Sequence, residues 1–287
     1  MIEAVSEALR FTFMRNALMA GVLVSIACGV IGTYVVINRI VFISGGIAHA
    51  AYGGIGLAYF FKFNPVVGAI VFSLASALGM GAVYRRSRQR ADTIIGVMWA
   101  IGMATGIVLV DLTEGYKADL MSYLFGSILA VPSGDLWIML VLDLVIIGLA
   151  ALFYKELLAI SFDETFATVE NVPVDEIYLV LLCMIALTVV MLMHVVGLIL
   201  VIALLTIPAA ISGQFVRDMK KMMVLASILG IAFTTSGLWL SYFLNLTSGA
   251  TIILVSGAAY LLSMVLKFTM RRAHPRASTN EPSTAGN

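Results

Sequence analysis

Nine stretches of this chain are long, apolar and almost free of charge, falling near 17–37, 41–61, 65–83, 93–110, 136–154, 177–195, 196–213, 222–243 and 250–268. A helix needs about 20 predominantly apolar residues to cross the hydrocarbon core of a bilayer. Backbone placed in lipid must satisfy its own hydrogen bonds, which a helix does within a single segment. The pattern predicts an all-α polytopic membrane bundle of about nine spans, within a range of eight to ten. Composition closes off a soluble reading. Of the 287 residues, 61% are hydrophobic and only 11% charged, against about 25% charged in soluble domains. No soluble surface can hide so much apolar side chain, and the same balance excludes disordered chains, disulfide scaffolds and nucleic-acid binders.

Net charge is only +1, but its distribution is uneven. Arg39, Arg85, Arg86, Arg88, Arg90, Lys155, Arg217, Lys220, Lys221, Lys267, Arg271, Arg272 and Arg276 collect on one side of the predicted spans, 13 of the 17 basic residues. Arg10, Arg15, Lys62 and Lys117 remain on the other, with Asp111, Glu114 and Asp119. Basic residues favour the cytoplasmic side. The expected arrangement is a multi-pass protein of the cell membrane with an external N-terminus and a cytoplasmic C-terminus, which needs an odd number of spans. Residues 1–16 read as an interfacial amphipathic segment, because Ile2, Val5, Leu9 and Phe13 recur at helical spacing. Glu3 and Glu7 argue against a signal peptide. Residues 17–270 form the transmembrane domain, and 271–287 a disordered cytoplasmic tail. The run 120–131 is short for a span and is predicted to be re-entrant or to lie against other helices. Cys28 and Cys183 sit inside apolar runs and read as packing thiols.

One cytoplasmic connection, 155–176, is longer than a link between neighbouring spans requires. In it Asp163 can cap a short helix on which Phe162, Phe166 and Val169 share a face. Such a helix rests on a membrane surface or docks a soluble partner. Its acidic residues, Glu164 among them, argue mildly against an anionic lipid surface.

Polar groups at membrane depth are expensive and need a partner or a function. The richest stretch is ISGGIAHAAYGGIG, residues 43–56, where Gly45, His49, Tyr52, Gly53 and Gly56 form one helical stripe. Glycines at such spacing admit close approach of another backbone and weaken the helix. His49 is an interhelical hydrogen-bonding group or a transient ligand for a transition metal; alone it is far from the three or four ligands of a tight site. Asp143 is the one carboxylate at mid-span, an interhelical hydrogen-bonding group or an ion-coupling one. His194 falls near the external end of its span, and Pro208 is predicted to break or kink its helix. The methionines are spread among the spans and read as packing. No GxxxxGK[ST] loop is present, so the chain has no phosphate loop for ATP; HExxH and GxSxG are also absent.

The blocks ISGGIAHAAYGGIGLAY, RADTIIGVMWAIGMATGIVL, SYLFGSILAV, YKELLAISFDETFA, VVGLILVIALLTIPAAISGQF and SGATIILVSG occur in this order. Together they resemble the membrane subunit of bacterial and archaeal zinc/manganese/iron ABC importers across roughly residues 12–268. The resemblance implies a permease that is not itself an enzyme and works as a homodimer beside two cytoplasmic ABC ATPase subunits, with an extracytoplasmic metal-binding protein delivering the ion. It implies no permanently bound cofactor: the divalent metal is cargo, and ATP belongs to the partner subunit. Phe162, Asp163, Glu164, Phe166 and Val169 would then belong to the coupling helix that docks on the ATPase. His49, Gly45, Tyr52, Gly53 and Asp143 are the candidates for the path and its gate, with His49 the one candidate metal ligand. Family members often carry an acidic residue four positions before this histidine; here that position is Gly45, so the pair is incomplete. The imidazole favours zinc as cargo, with manganese or iron as alternatives. Asp111, Glu114 and Asp119 would attract cations or contact the binding protein, or are plain loop charges. Three other readings stand beside this one: a secondary ion-coupled transporter using Asp143 and His49, an intramembrane enzyme, and an ABC permease for a metal chelate.

Overall fold

The computed structural model describes residues 6–86, 91–113, 126–197 and 201–273. In chain order the helices are α1 (Thr12–Ile37), α2 (Val41–Phe61), α3 (Pro65–Arg86), α4 (Ala91–Asp111), α5 (Ser133–Leu152), α6 (Tyr154–Phe162), α7 (Glu164–Val169), α8 (Val174–Val196), α9 (Val201–Phe215), α10 (Met219–Leu244) and α11 (Ser248–Ala273). Among the described residues, seven helices are long and apolar enough to cross a membrane; α4 and α9 carry the shorter apolar stretches Ile95–Asp111 and Val201–Phe215. The result is the predicted all-helical bundle of about nine helices at membrane depth.

The packing falls into two groups joined by α8. In the first, α2 lies between α3 and α4; in the second, α1 packs on α9, α10 and α5, with α11 against α9 and α10. Helix α8 touches α1, α2, α3 and α5. Exposed apolar side chains gather on the outer helices, for example Trp137 and Leu144 on α5 and Leu254 and Leu261 on α11. Helix α5 shows the logic residue by residue. Its buried positions are Met139, Asp143, Ile146 and Ala150, spaced by four, three and four residues, which is one face of a helix.

Close backbone contact sets the spacing of the first group. A Cβ added to Gly54 of α2 would fall on the backbone carbonyl of Gly68 in α3, and one on Gly68 would fall on that of Gly54. On the opposite side Gly53 faces the Gly102 carbonyl of α4, and Gly56 faces Gly106. In a membrane, where lipid is as apolar as any side chain, helices associate through this kind of tight van der Waals contact.

Several boundaries refine the sequence reading. Helix α1 begins at Thr12, inside the segment 1–16 expected at the interface, and Asn16 donates to the Val131 carbonyl (3.2 Å) and to Ser133 Oγ (3.0 Å). The described part of the run 120–131 contains a 3-10 turn at Ile128–Ala130 packed against α1. The break predicted at Pro208 does not occur, and α9 runs through it from Val201 to Phe215. Proline removes one amide donor, but Pro208 is buried in a helix held by α1, α10 and α11. The chain turns earlier, at Gly197, whose φ of 75° favours glycine. Cys28 and Cys183 are free thiols, buried and half-buried. Glu114, Lys117, Asp119 and the tail from His274 lie outside the described residues, as does the side chain of His194.

Candidate transport path and coupling surface

The four path candidates on α2 share a helix but do not face one neighbour. Gly45 looks toward Ile202 of α9, Gly53 toward Phe72 of α3 and Gly102 of α4, and Tyr52 is buried with its backbone carbonyl beside Gly106 of α4. The glycine stripe is therefore occupied largely by helices of the same chain.

His49 lies on the same contact. It is 8% exposed, and its ring stacks on the indole of Trp99 in α4, with centroids 4.1 Å apart and planes 11° from parallel. Phe42 packs against the same indole at 6.2 Å, and the Trp99 N–H points to Met103 Sδ at 3.3 Å. The Nδ1 atom of His49 has no hydrogen-bond partner among the described residues. Stacking fixes the plane of the imidazole and leaves a ring nitrogen without a protein acceptor or donor. A neutral imidazole with an unengaged nitrogen is a ligand for a transition metal.

Asp143 is not brought to His49. It sits on α5, which packs mainly on α1 and α8, and is 3% exposed. Its Oδ1 has no hydrogen-bond partner among the described residues. No three His, Cys, Asp or Glu side chains gather as a metal cluster among the described residues.

The segment 155–176 forms two helices rather than one. Helix α6 continues from α5 after a corner at Phe153, and α7 follows with Asp163 as its N-cap. The Asp163 carboxylate accepts from the backbone N–H groups of Thr165 (2.8 Å) and Phe166 (3.0 Å). Phe162, Phe166 and Val169 are 69%, 57% and 73% exposed, while Ala167 turns inward. Six residues are too few to hold a helix alone, so α7 depends on its cap and on its anchors.

Those anchors were not foreseen. Arg85, at the end of α3, pairs with Glu164 of α7 at 3.2 Å and with Asp175 at the start of α8. Its guanidinium also covers the ring of Tyr178 at 5.5 Å, and Tyr84 stacks on the same tyrosine with ring centroids 5.6 Å apart. On α6, Ser161 Oγ receives a hydrogen bond from Asn38 at the end of α1 (2.9 Å). Partly exposed ion pairs contribute little stability, about 0–1 kcal/mol each. Their effect here is geometric: one guanidinium ties α7 to α3 and α8 while Phe166 and Val169 of α7 stay exposed. In the sequence Arg85 is one of several clustered bases, and only its position at a helix end separates it from the rest. The other residues missed, Gly102 and Gly106 of α4, do carry a legible signal, the GxxxG spacing of close-packed membrane helices.

Comparison with known proteins gives this architecture its context. The model of the ABC 3 transport family matches residues 10–267. An uncharacterized membrane protein of Synechocystis sp. is 64% identical over 93% of this chain and 95% of its own. The manganese transport system membrane protein MntC of Listeria monocytogenes is 35% identical over 90% of this chain and 91% of its own. Among solved structures, PsaBC from Streptococcus pneumoniae in complex with Fab superposes with a TM-score of 0.86 at 31% identity, covering 95% of this chain and 99% of that one. The fold and the match define a multi-pass permease of an ABC transporter, a subunit that is not itself an ATPase. The chain belongs to the ABC 3 transport family, the metal-importer permeases that its sequence blocks resemble.

Proposed function

We propose that this permease carries a divalent transition-metal ion into the cytoplasm by alternating access, as a homodimer driven by a separate ABC ATPase and supplied by an external metal-binding protein. The observation that carries the reading is α7: a capped, solvent-exposed apolar helix, anchored by Arg85, in a family member without a phosphate loop. It is the surface on which an external engine would act, and Phe162, Asp163, Glu164, Phe166 and Val169 are its contact residues. The basic residues assign α7, the C-terminus and the corners at Arg39, Lys155 and Lys220 to the cytoplasm and the N-terminus to the outside. His49 is the transient ligand on the path, with Tyr52 and the glycines at 45 and 53 shaping the helix around it.

Manganese becomes the first candidate cargo, because a named relative at 35% identity is a manganese system. The zinc preference rested on the imidazole alone. A secondary transporter coupling Asp143 to His49 has less support, since the two sit on α5 and α2 against different neighbours.

The test is uptake by proteoliposomes holding the permease, its ATPase and the external binding protein, comparing manganese, zinc and iron with and without ATP. ATP-dependent accumulation of manganese, reduced in His49→Ala, is the expected result. Uptake indifferent to ATP would overturn the ABC reading of the cargo step, and zinc accumulation alone would restore the imidazole argument.

A further inference from the structure

Between α1, α5 and α10, on the side that carries α7, lies a crevice of about 660 Å³. Its depth is apolar, walled by Val30 of α1, Ile147 and Leu152 of α5 and Val224 of α10, the last two widely exposed on the membrane face. Its mouth is ionic: Tyr154, Lys155 and Glu156 line it from the start of α6, and Lys220 from the first turn of α10. The Lys220 ammonium is held 4.8 Å from the centre of the Tyr154 ring, a favourable cation–π position. Burial and, secondarily, Asp218 hold the Tyr154 phenol above its ordinary range, so it remains a hydrogen-bond donor. The lining charges, two lysines and one glutamate, leave one net positive charge.

From this arrangement we infer that the crevice is a binding site for an anionic glycerophospholipid of the leaflet facing α7, its phosphate between Lys155 and Lys220 and an acyl chain along Ile147, Leu152 and Val224. An apolar slot whose mouth is lined by two lysines and one glutamate, with a net positive charge, matches an anionic amphiphile in both parts. A small soluble anion would leave the slot unfilled, and an uncharged lipid would leave the net positive charge of the mouth unmatched. Basic pockets between transmembrane helices bind anionic headgroups on these terms, with lysine stems lying along apolar surface and their heads at the interface. The site adjoins the α5–α6 corner at Phe153, so its occupant braces the root of the arm that bears α7.

The experiment uses the full permease with its ATPase, reconstituted in an equimolar mixture of phosphatidylglycerol and phosphatidylcholine, extracted in mild detergent and analysed by native mass spectrometry for retained lipid. The expected result is preferential retention of phosphatidylglycerol, falling roughly tenfold or more in the double variant Lys155→Gln/Lys220→Gln, with Lys221→Gln unchanged because Lys221 does not line the crevice. Val224→Trp, which fills the slot and leaves both lysines, should lower retention as well; it keeps the test decisive if the double variant does not assemble. Equal retention of the two lipids by the wild type, or undiminished phosphatidylglycerol in both crevice variants, would overturn the assignment. So would efficient disulfide cross-linking of two copies through Val224→Cys, which would make this face the contact between permeases.

Discussion

At the scale of single residues, the defining fact is the stacking of His49 on Trp99. A histidine on an apolar helix is more often a hydrogen-bonded packing residue than a ligand, and the sequence cannot separate the two. What the structure adds is the environment: the α4 indole covers one face of the ring, and Nδ1 meets no partner among the described residues. His49→Ala is expected to lower ATP-driven uptake by roughly an order of magnitude while the variant still co-purifies with its ATPase; loss of assembly instead would make the residue structural. Trp99→Phe should retain more uptake than Trp99→Ala, since only the former keeps a ring against the imidazole. Gly54 offers a test of a different kind. Any side chain there meets the Gly68 backbone, which cannot rotate away, so Gly54→Leu should destabilise the permease by about 1–3 kcal/mol. Chemical denaturation of the purified chain in detergent reads that loss directly.

Among the elements, α7 is where stability and function separate. Arg85→Ala removes ion pairs worth about 0–1 kcal/mol each, so insertion and yield should hardly change. What should fall is the stimulation of ATP hydrolysis by the loaded binding protein, because α7 would no longer be tied to α3 and α8. Asp163→Ala deletes the cap, a cost of about 1 kcal/mol to the helix, and should act in the same direction; normal coupling in both variants would remove the role assigned to α7. The spans were legible because about 20 apolar residues in a row leave few options, and α2 keeps the limits read for it, 41–61. The cap was legible too, since Asp163 precedes a helical apolar pattern. The break allowed for at Pro208 did not occur because local propensity ignores tertiary packing, and here neighbouring helices pack on α9, which runs on through it. The separate helix α6 ahead of that cap was hidden for a similar reason: the corner at Phe153 that parts it from α5 has no Gly or Pro to announce it. As for the site, pattern placed Gly45, His49 and Gly53 on one stripe but could not assign a neighbour to each, because partners distant in sequence leave no local trace.

For the molecule as a whole, the proposed orientation rests on charge alone and is open to a simple check. Lys62→Cys should react with a membrane-impermeant thiol reagent added outside intact cells, and Lys155→Cys only after the cytoplasmic face is opened. Cys28 and Cys183 lie within spans, buried and half-buried, and give a low background. The reverse pattern would invert the molecule and place α7 out of reach of any ATPase. The two helix groups joined by α8 also suggest how such a protein divides its labour. The first carries His49 and the Arg85 anchor; the second carries most of the lipid-facing surface and the crevice at Tyr154.

The glycine contacts of α2 have a mechanical consequence. Side chains between helices act as springs: they change rotamer and absorb displacement before it reaches the next backbone. Where Gly54 meets Gly68 there is no spring, and α3 bears on α2 main chain to main chain. Arg85 stands at the far end of that same α3. A stroke applied to α7 would therefore travel along a stiff rod into the helix holding His49, with little of its amplitude lost on the way.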